Sequence, residues 1–184
     1  MNLEALSLSS TVYTFEIDLA DADRGVYETL ALRVARHPSE SEEFLVTRVL
    51  AYCLEYEEGI EFSRGLSNPD EPPIVIRDLT GVMGSWIDIG TPTADRLHRA
   101  AKLASRVVVY VHKEATQWLA GLASARIHRA GEIVLRTVDR AFIAALVARL
   151  DRRMSFALSV AEGEVFVSFP DATIDGRVGP LRIG

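Results

Sequence analysis

The chain has one cysteine, Cys53, and four histidines among its 184 residues. A single thiol excludes an intrachain disulfide, and its place in an apolar helical pattern predicts a small buried hydrophobe and a reducing, cytoplasmic compartment. His37, His98, His112 and His128 show no metal-binding spacing, so no zinc site of the common structural kind is expected. No uninterrupted apolar run approaches the ~18 residues of a membrane helix, and no basic residue precedes an apolar segment from Met1 to Ser10. The expectation is an unexported protein with no membrane partner. Closely spaced glycines between strand and helix are lacking, which excludes a phosphate loop and a dinucleotide fingerprint. No nucleophile-elbow sequence surrounds any serine, and Ser155 and Ser159 simply alternate with core residues. Excess positive charge is lacking too: the net charge is −6, so any nucleic-acid contact must be a local patch.

A hydrophobic content of 48% is ample for a core, and the length fits one domain spanning residues 1–184. Tyr13, Phe15, Ile17 and Leu19 alternate with Thr14, Glu16 and Asp18, the period of a strand with one buried face. Turn residues from Asp21 to Gly25 then return the chain through Leu30, Leu32 and Val34 as an antiparallel hairpin. Ser39 and Glu42 form a capping-box sequence for a helix that runs to about Glu57, with Gly59 ending it. Val46, Val49, Leu50, Cys53 and Leu54 give that helix its apolar stripe.

Strands are expected at Ile74–Ile76 and Val82–Ile89. Thr91-Pro92-Thr93 introduces a helix whose buried stripe is Ala94, Leu97, Ala101 and Ala104. Val107–Val111 reads as a buried strand parallel to the one ending at Ile89, since a helix connects them. A helix from Lys113 to Leu122, with Trp118 inward, a strand from Glu132 to Val138, and a helix capped by Asp139 follow. Met154 to Val160 and Val165 to Phe169 make a second hairpin, and the tail from Thr173 to Ile183 is expected to add a short edge strand. The class is therefore α/β, a single domain with a central mixed sheet flanked by helices and carrying peripheral antiparallel hairpins.

Two carboxylates draw attention because of where they fall. Asp88 ends a strand between Ile87 and Ile89, and Asp70 sits in the turn feeding the preceding strand. Such a pair suits one divalent cation with hard oxygen ligands. Asp70 is equally at home as a turn residue, and Asp88 as the end of an edge strand. Glu43 lies on the flank of the first helix's apolar stripe, where it is either a solvated first-turn acid or a paired one. Arg96, Arg99, Lys102 and Arg106 recur at helical spacing and form a basic ridge, which is either a solvated face or a phosphate contact.

Arg36-His37-Pro38-Ser39-Glu40, Arg64-Gly65-Leu66-Ser67, Asp70-Glu71-Pro72, Trp86-Ile87-Asp88-Ile89-Gly90 with Pro92, and the stretch from Ala100 to Val109 stand in a specific order. Over essentially its whole length the chain resembles the YaeQ family, whose members are similar in fold to the PD-(D/E)xK restriction-endonuclease-like nucleases. That resemblance implies a Mg²⁺- or Mn²⁺-dependent nuclease acting on DNA or RNA. It puts the helical acid at Glu43, the pattern's aspartate at Asp70 following Pro69, and the strand acid at Asp88, with all three holding the metal. Lys102 would stabilise phosphoryl charge, with Arg99 and Arg64 as substitutes, and Glu71 and Trp86 would border the site. The parent pattern has lysine two residues after the last acid, where this chain has Gly90. The alternative is a non-catalytic module binding nucleic acid or protein, with Arg96, Arg99, Lys102 and Arg106 as the contact to DNA or RNA. A third reading makes Asp70, Asp88 and Lys102 a structural ion-pair group.

Overall fold

The computed structural model describes residues 10–63 and 70–184, and its organising feature is one ten-stranded mixed sheet. Its strands are β1 (Thr11–Asp21), β2 (Val26–Arg36), β3 (Ile60–Phe62), β4 (Ile74–Arg77), β5 (Met83–Ile89), β6 (Arg106–Val111), β7 (Val134–Val138), β8 (Arg153–Ala161), β9 (Glu164–Ser168) and β10 (Thr173–Leu181). Their order across the sheet is β2-β1-β8-β9-β10-β7-β6-β5-β4-β3. The helices are α1 (Glu42–Leu54), α2 (Ala94–Leu103), α3 (Thr116–Ser124) and α4 (Arg140–Val147). As expected, β5 and β6 are parallel, with α2 as the crossover, and β7 continues the parallel set.

The two hairpins are in the expected places, but only the first, β1–β2, is peripheral, while β8–β9 lies inside the sheet. β1 pairs in parallel with β8, so both belong to the same sheet as β5 and β6. The tail is also not an edge: β10 pairs with β9 on one side and β7 on the other, joining the two halves of the sheet. Its glycines and Pro180 mask a strand pattern that the flanking ladders enforce, an instance of packing overriding local propensity.

The sheet curls around α1. Arg48 of α1 donates to the Ala35 carbonyl of edge strand β2 and stands 5.5 Å from the ring centroid of Phe62 in edge strand β3. One helix thus meets both edges, and the sheet is nearly closed. This explains why α1 is buried continuously from Leu45 to Cys53 rather than along one stripe. Burial pushes the Cys53 thiol up to about 12, so it packs as an apolar group. α1 starts later and ends sooner than its sequence suggests. The cap is Ser41, which accepts from the Phe44 amide at 3.1 Å, while Ser39 is engaged with His37 Nδ1 at 2.6 Å. The helix stops at Leu54.

α1 and α4 fill the concave face with the apolar residues of β1, β2, β8 and β9, and α2 and α3 cover the other face of β5, β6 and β7. α3 begins at Thr116 rather than Lys113. No helix among the described residues is long and apolar enough to cross a membrane.

The contact between α4 and β10 makes one prediction. A methyl group at Gly176 would lie within 3.0 Å of Cβ, Cγ and Cδ1 of Phe142, a ring that is 2% exposed. Gly176→Ala is expected to cost about 1–3 kcal/mol in urea denaturation, because the ring has no room to yield. A Gly176→Ala variant as stable as wild type would refute the packing argument.

Candidate functional site

Trp86 and Asp88 alternate onto the face of β5 that α2 covers, and Gly90 ends the strand. Thr93 caps α2 by accepting from the Arg96 amide at 3.2 Å. That cap fixes the first turn of α2 above the end of β5 and aims Arg96 at Asp88.

The result is a closed polar cluster. Asp88 is 4% exposed. Its Oδ2 accepts from Arg96 Nε at 2.6 Å and from Trp86 Nε1 at 3.0 Å. Its Oδ1 accepts from the Ile89 amide at 3.2 Å and from Arg96 Nη2 at 3.4 Å. The same Nη2 donates to the Glu71 carbonyl at 3.0 Å, and the guanidinium carbon stands 5.0 Å from the Trp86 ring centroid. A carboxylate offers about four acceptor positions, and these donors occupy them. Arg96 therefore ties the 70–71 turn to the end of β5.

The other sequence-derived residues are distributed around this cluster. Asp70 is at the surface, where Arg99 Nη1 donates to its Oδ1 at 3.1 Å. The two acids are thus held by arginines one helical turn apart. Glu43 is exposed in the first turn of α1, and its charge is felt by His112 at the end of β6. Lys102 is exposed in the last turn of α2, roughly 9 Å along the helix axis from Arg96. It stands at the far end of α2 from Asp88. Arg64 and the Arg64-Gly65-Leu66-Ser67 block lie outside the described residues, as does Pro69.

The basic ridge is not continuous. α2 ends at Leu103, Ala104 is already extended, and Arg106 is the first residue of β6. Its side chain turns to the concave face, where Nη1 donates to Glu55 Oε2 at 2.7 Å. Arg96 and Arg99 are engaged with Asp88 and Asp70, which leaves Lys102 as the ridge member without an acid partner named above.

A cleft of about 290 Å³ opens beside the cluster, lined among others by Ser63, Glu71, Asp88, Gly90, Arg96 and Lys113. Gly90 has φ of 88°, a conformation that L side chains avoid. This is the physical reason for glycine where the nuclease pattern has lysine: the chain leaves β5 through a left-handed residue. A lysine does reach the cleft, but from the neighbouring strand, as Lys113. The sequence reading placed Lys113 at the start of a helix and gave it no part in the site. It also placed Arg96 on a ridge when the residue serves Asp88, although a capping Thr93 three residues before Arg96 was a usable signal.

Mg²⁺ does not fit this arrangement. The acceptor positions of Asp88 are taken by an arginine, an indole and an amide, and among the described residues no three His, Cys, Asp or Glu side chains are grouped to hold a metal ion.

Relatives of this chain share its whole architecture. The YaeQ proteins of Salmonella typhi and Escherichia coli K12, both described as uncharacterized, are 29% and 28% identical to it over 89% of this chain and 91% of their own length. The crystal structure of the YaeQ protein from Xanthomonas axonopodis pv. citri superposes with a TM-score of 0.86 at 32% identity, covering 96% of this chain and all of that one. The YaeQ protein from Pseudomonas syringae gives 0.85 at 31% identity over 94% of this chain and 96% of that one. Residues 6–177 match the family described as YaeQ protein, and the chain belongs to that family.

Proposed function

We propose that this protein is a non-catalytic nucleic-acid-binding module on a PD-(D/E)xK nuclease-like frame, working without a metal ion in a cytoplasmic setting. The observation that carries this reading is the saturation of Asp88 by Arg96, Trp86 and the Ile89 amide. A carboxylate so held neutralises a partly buried guanidinium and has no acceptor to spare for a cation. The cleft beside it presents Lys113 to solvent, with Arg99 and Lys102 on the outer side of α2. Phosphate contact through these groups is electrostatic and local, as a net charge of −6 requires.

Metal-dependent cleavage of DNA or RNA is the second reading. It is favoured by the arrangement of Glu43 on α1, Asp70 before β4 and Asp88 at the end of β5, with Lys113 in the same cleft. It requires Arg96 to withdraw from Asp88.

Labelled single- and double-stranded DNA and RNA, titrated with wild type, Lys113→Gln and Asp88→Asn with and without EDTA, separate the two. The expected result is binding that EDTA leaves unchanged, no cleavage in Mg²⁺ or Mn²⁺, and a salt dependence whose slope falls by about 1 in Lys113→Gln. Metal-dependent cleavage by wild type that disappears in folded Asp88→Asn would overturn the binding reading and establish a nuclease.

A further inference from the structure

The opposite end of the curled sheet holds a second polar cleft that shares no lining residue with the one beside Asp88. It measures about 200 Å³, several times the roughly 30 Å³ that one water takes up in the liquid. Its floor is Glu55, directly after α1 and 7% exposed. Tyr110 of β6 donates its hydroxyl to Glu55 Oε1 at 2.7 Å, and Arg106 Nη1 donates to Oε2 at 2.7 Å. Burial and the Glu55 charge hold the Tyr110 hydroxyl well above its ordinary pKa, so it remains a donor. On the facing wall, Arg24 is committed to Asp21 at 2.7 Å and to the Tyr56 and Cys53 carbonyls. Asp23 at the rim accepts from the Glu162 and Gly163 amides.

Arg136 differs from the other two arginines. It sits beside Tyr110 in the β6–β7 register, and its Nε is buried without a hydrogen-bond partner. Its approach to Glu55 Oε1 is 3.9 Å, too long for a hydrogen bond. Asp21 is engaged by Arg24, and Glu55 by Arg106 and Tyr110, so among the described residues Arg136 is the arginine of this cleft that no carboxylate holds by a hydrogen bond. Its side chain and that of Arg106 are each 39% exposed, within reach of a solute. A guanidinium is a planar fork of donors and accepts nothing, and Arg106 and Arg136 bring two such forks to Glu55 from adjacent strands, each with donors left over. The spare donors suit the oxygens of a tetrahedral oxyanion.

We propose that this cleft binds a phosphate-type oxyanion, held by the Arg136 fork and the remaining donors of Arg106. Isothermal titration with sodium phosphate, against sodium chloride at matched ionic strength, should show saturable binding by phosphate alone. Arg136→Gln is expected to weaken it at least tenfold and Arg136→Lys to give an intermediate loss, with both variants shown to be folded by chemical denaturation. Asp23→Asn should tighten binding by removing a rim charge. Adenosine monophosphate that competes with phosphate, with adenosine inert, would support the same site as one for phosphomonoesters. Non-saturable heats, or equal phosphate affinity in wild type and Arg136→Gln, would overturn the proposal.

Discussion

Arg48→Ala is expected to lower the unfolding free energy by about 3–5 kcal/mol at neutral pH, measured by chemical denaturation. Arg48 is 3% exposed and Glu40 is 6% exposed, and they meet through Nη1 and Oε1 at 3.5 Å. The pair is poorly satisfied, since Glu40 Oε2 and Arg48 Nε have no hydrogen-bond partner. Its value lies in what surrounds it: Nη2 donates to the Ala35 carbonyl at 2.8 Å, and the guanidinium lies over Phe62. Truncation removes the group that joins β2, α1 and β3, opens a cavity, and leaves a buried carboxylate without its cation. Burial already raises the pKa of Glu40, and Arg48 is the chief force lowering it. Losing Arg48 raises it further, so protonation of Glu40 relieves the variant as pH falls. The cost should therefore be larger at pH 7 than at pH 5. Arg48→Met with Glu40→Gln should recover most of the loss, because a neutral pair carries no uncompensated charge. A cost below 1 kcal/mol that is independent of pH would show that the sheet closes without this contact.

Alternation made β1, β2, β8 and β9 legible, and the caps Thr93 and Asp139 fixed where α2 and α4 begin. These are local signals, set by residues within one turn or one strand. What the sequence concealed was long-range pairing. Nothing in the residues of β8 announces that it lies parallel to β1, since the partners are separated by most of the chain. β10 was concealed because Gly176, Gly179 and Pro180 carry a loop's composition, and only the ladders on both sides make it a strand. α1 revealed a stripe but not its complete burial, although Thr47 and Arg48 are the only polar residues between Phe44 and Leu54 except the Tyr52 hydroxyl.

At the candidate site, sequence reasoning found Asp88 and misjudged its company. It looked for a lysine along α2 and named Lys102, whereas the cation that reaches Asp88 is Arg96 at the start of the helix. An α-helix following a strand in a crossover runs antiparallel to it, so only its first turn stands near the strand's C-terminal end. Asp88 is ion-paired with Arg96, and Lys102 takes no part in that pair. Asp70 and Asp88 are drawn towards one helix, but each is bound to its own arginine. That division of partners is invisible in spacing and decides between holding a metal and locking a turn.

The largest pH effect is expected from His112. It ends the buried run of β6, is 6% exposed, and has no hydrogen-bond partner at either ring nitrogen. Burial first, then the neighbouring Lys113 charge, push its pKa down from 6.5 to about 4, against the opposing pull of Glu43. The unfolded chain therefore binds a proton between pH 6.5 and 4 that the folded chain refuses. Stability from this residue is complete above the unfolded value and is lost as pH falls through that window, by about 3 kcal/mol between pH 7 and pH 4. Urea denaturation of wild type and His112→Leu at pH 7, 5.5 and 4.5 should give curves that diverge on acidification, the variant keeping what wild type loses. Parallel curves would mean that the ring finds a partner when charged. Glu43→Gln should steepen the wild-type loss, since it removes the one charge that favours the imidazolium. The imidazole therefore stays neutral near pH 7, and the charge at this end of the sheet comes from Arg96 and Lys113 against Glu43, Glu71 and Asp88. Binding of nucleic-acid phosphodiesters in that cleft should then be unaffected by His112 between pH 6 and 8, because the imidazole is neutral throughout that range.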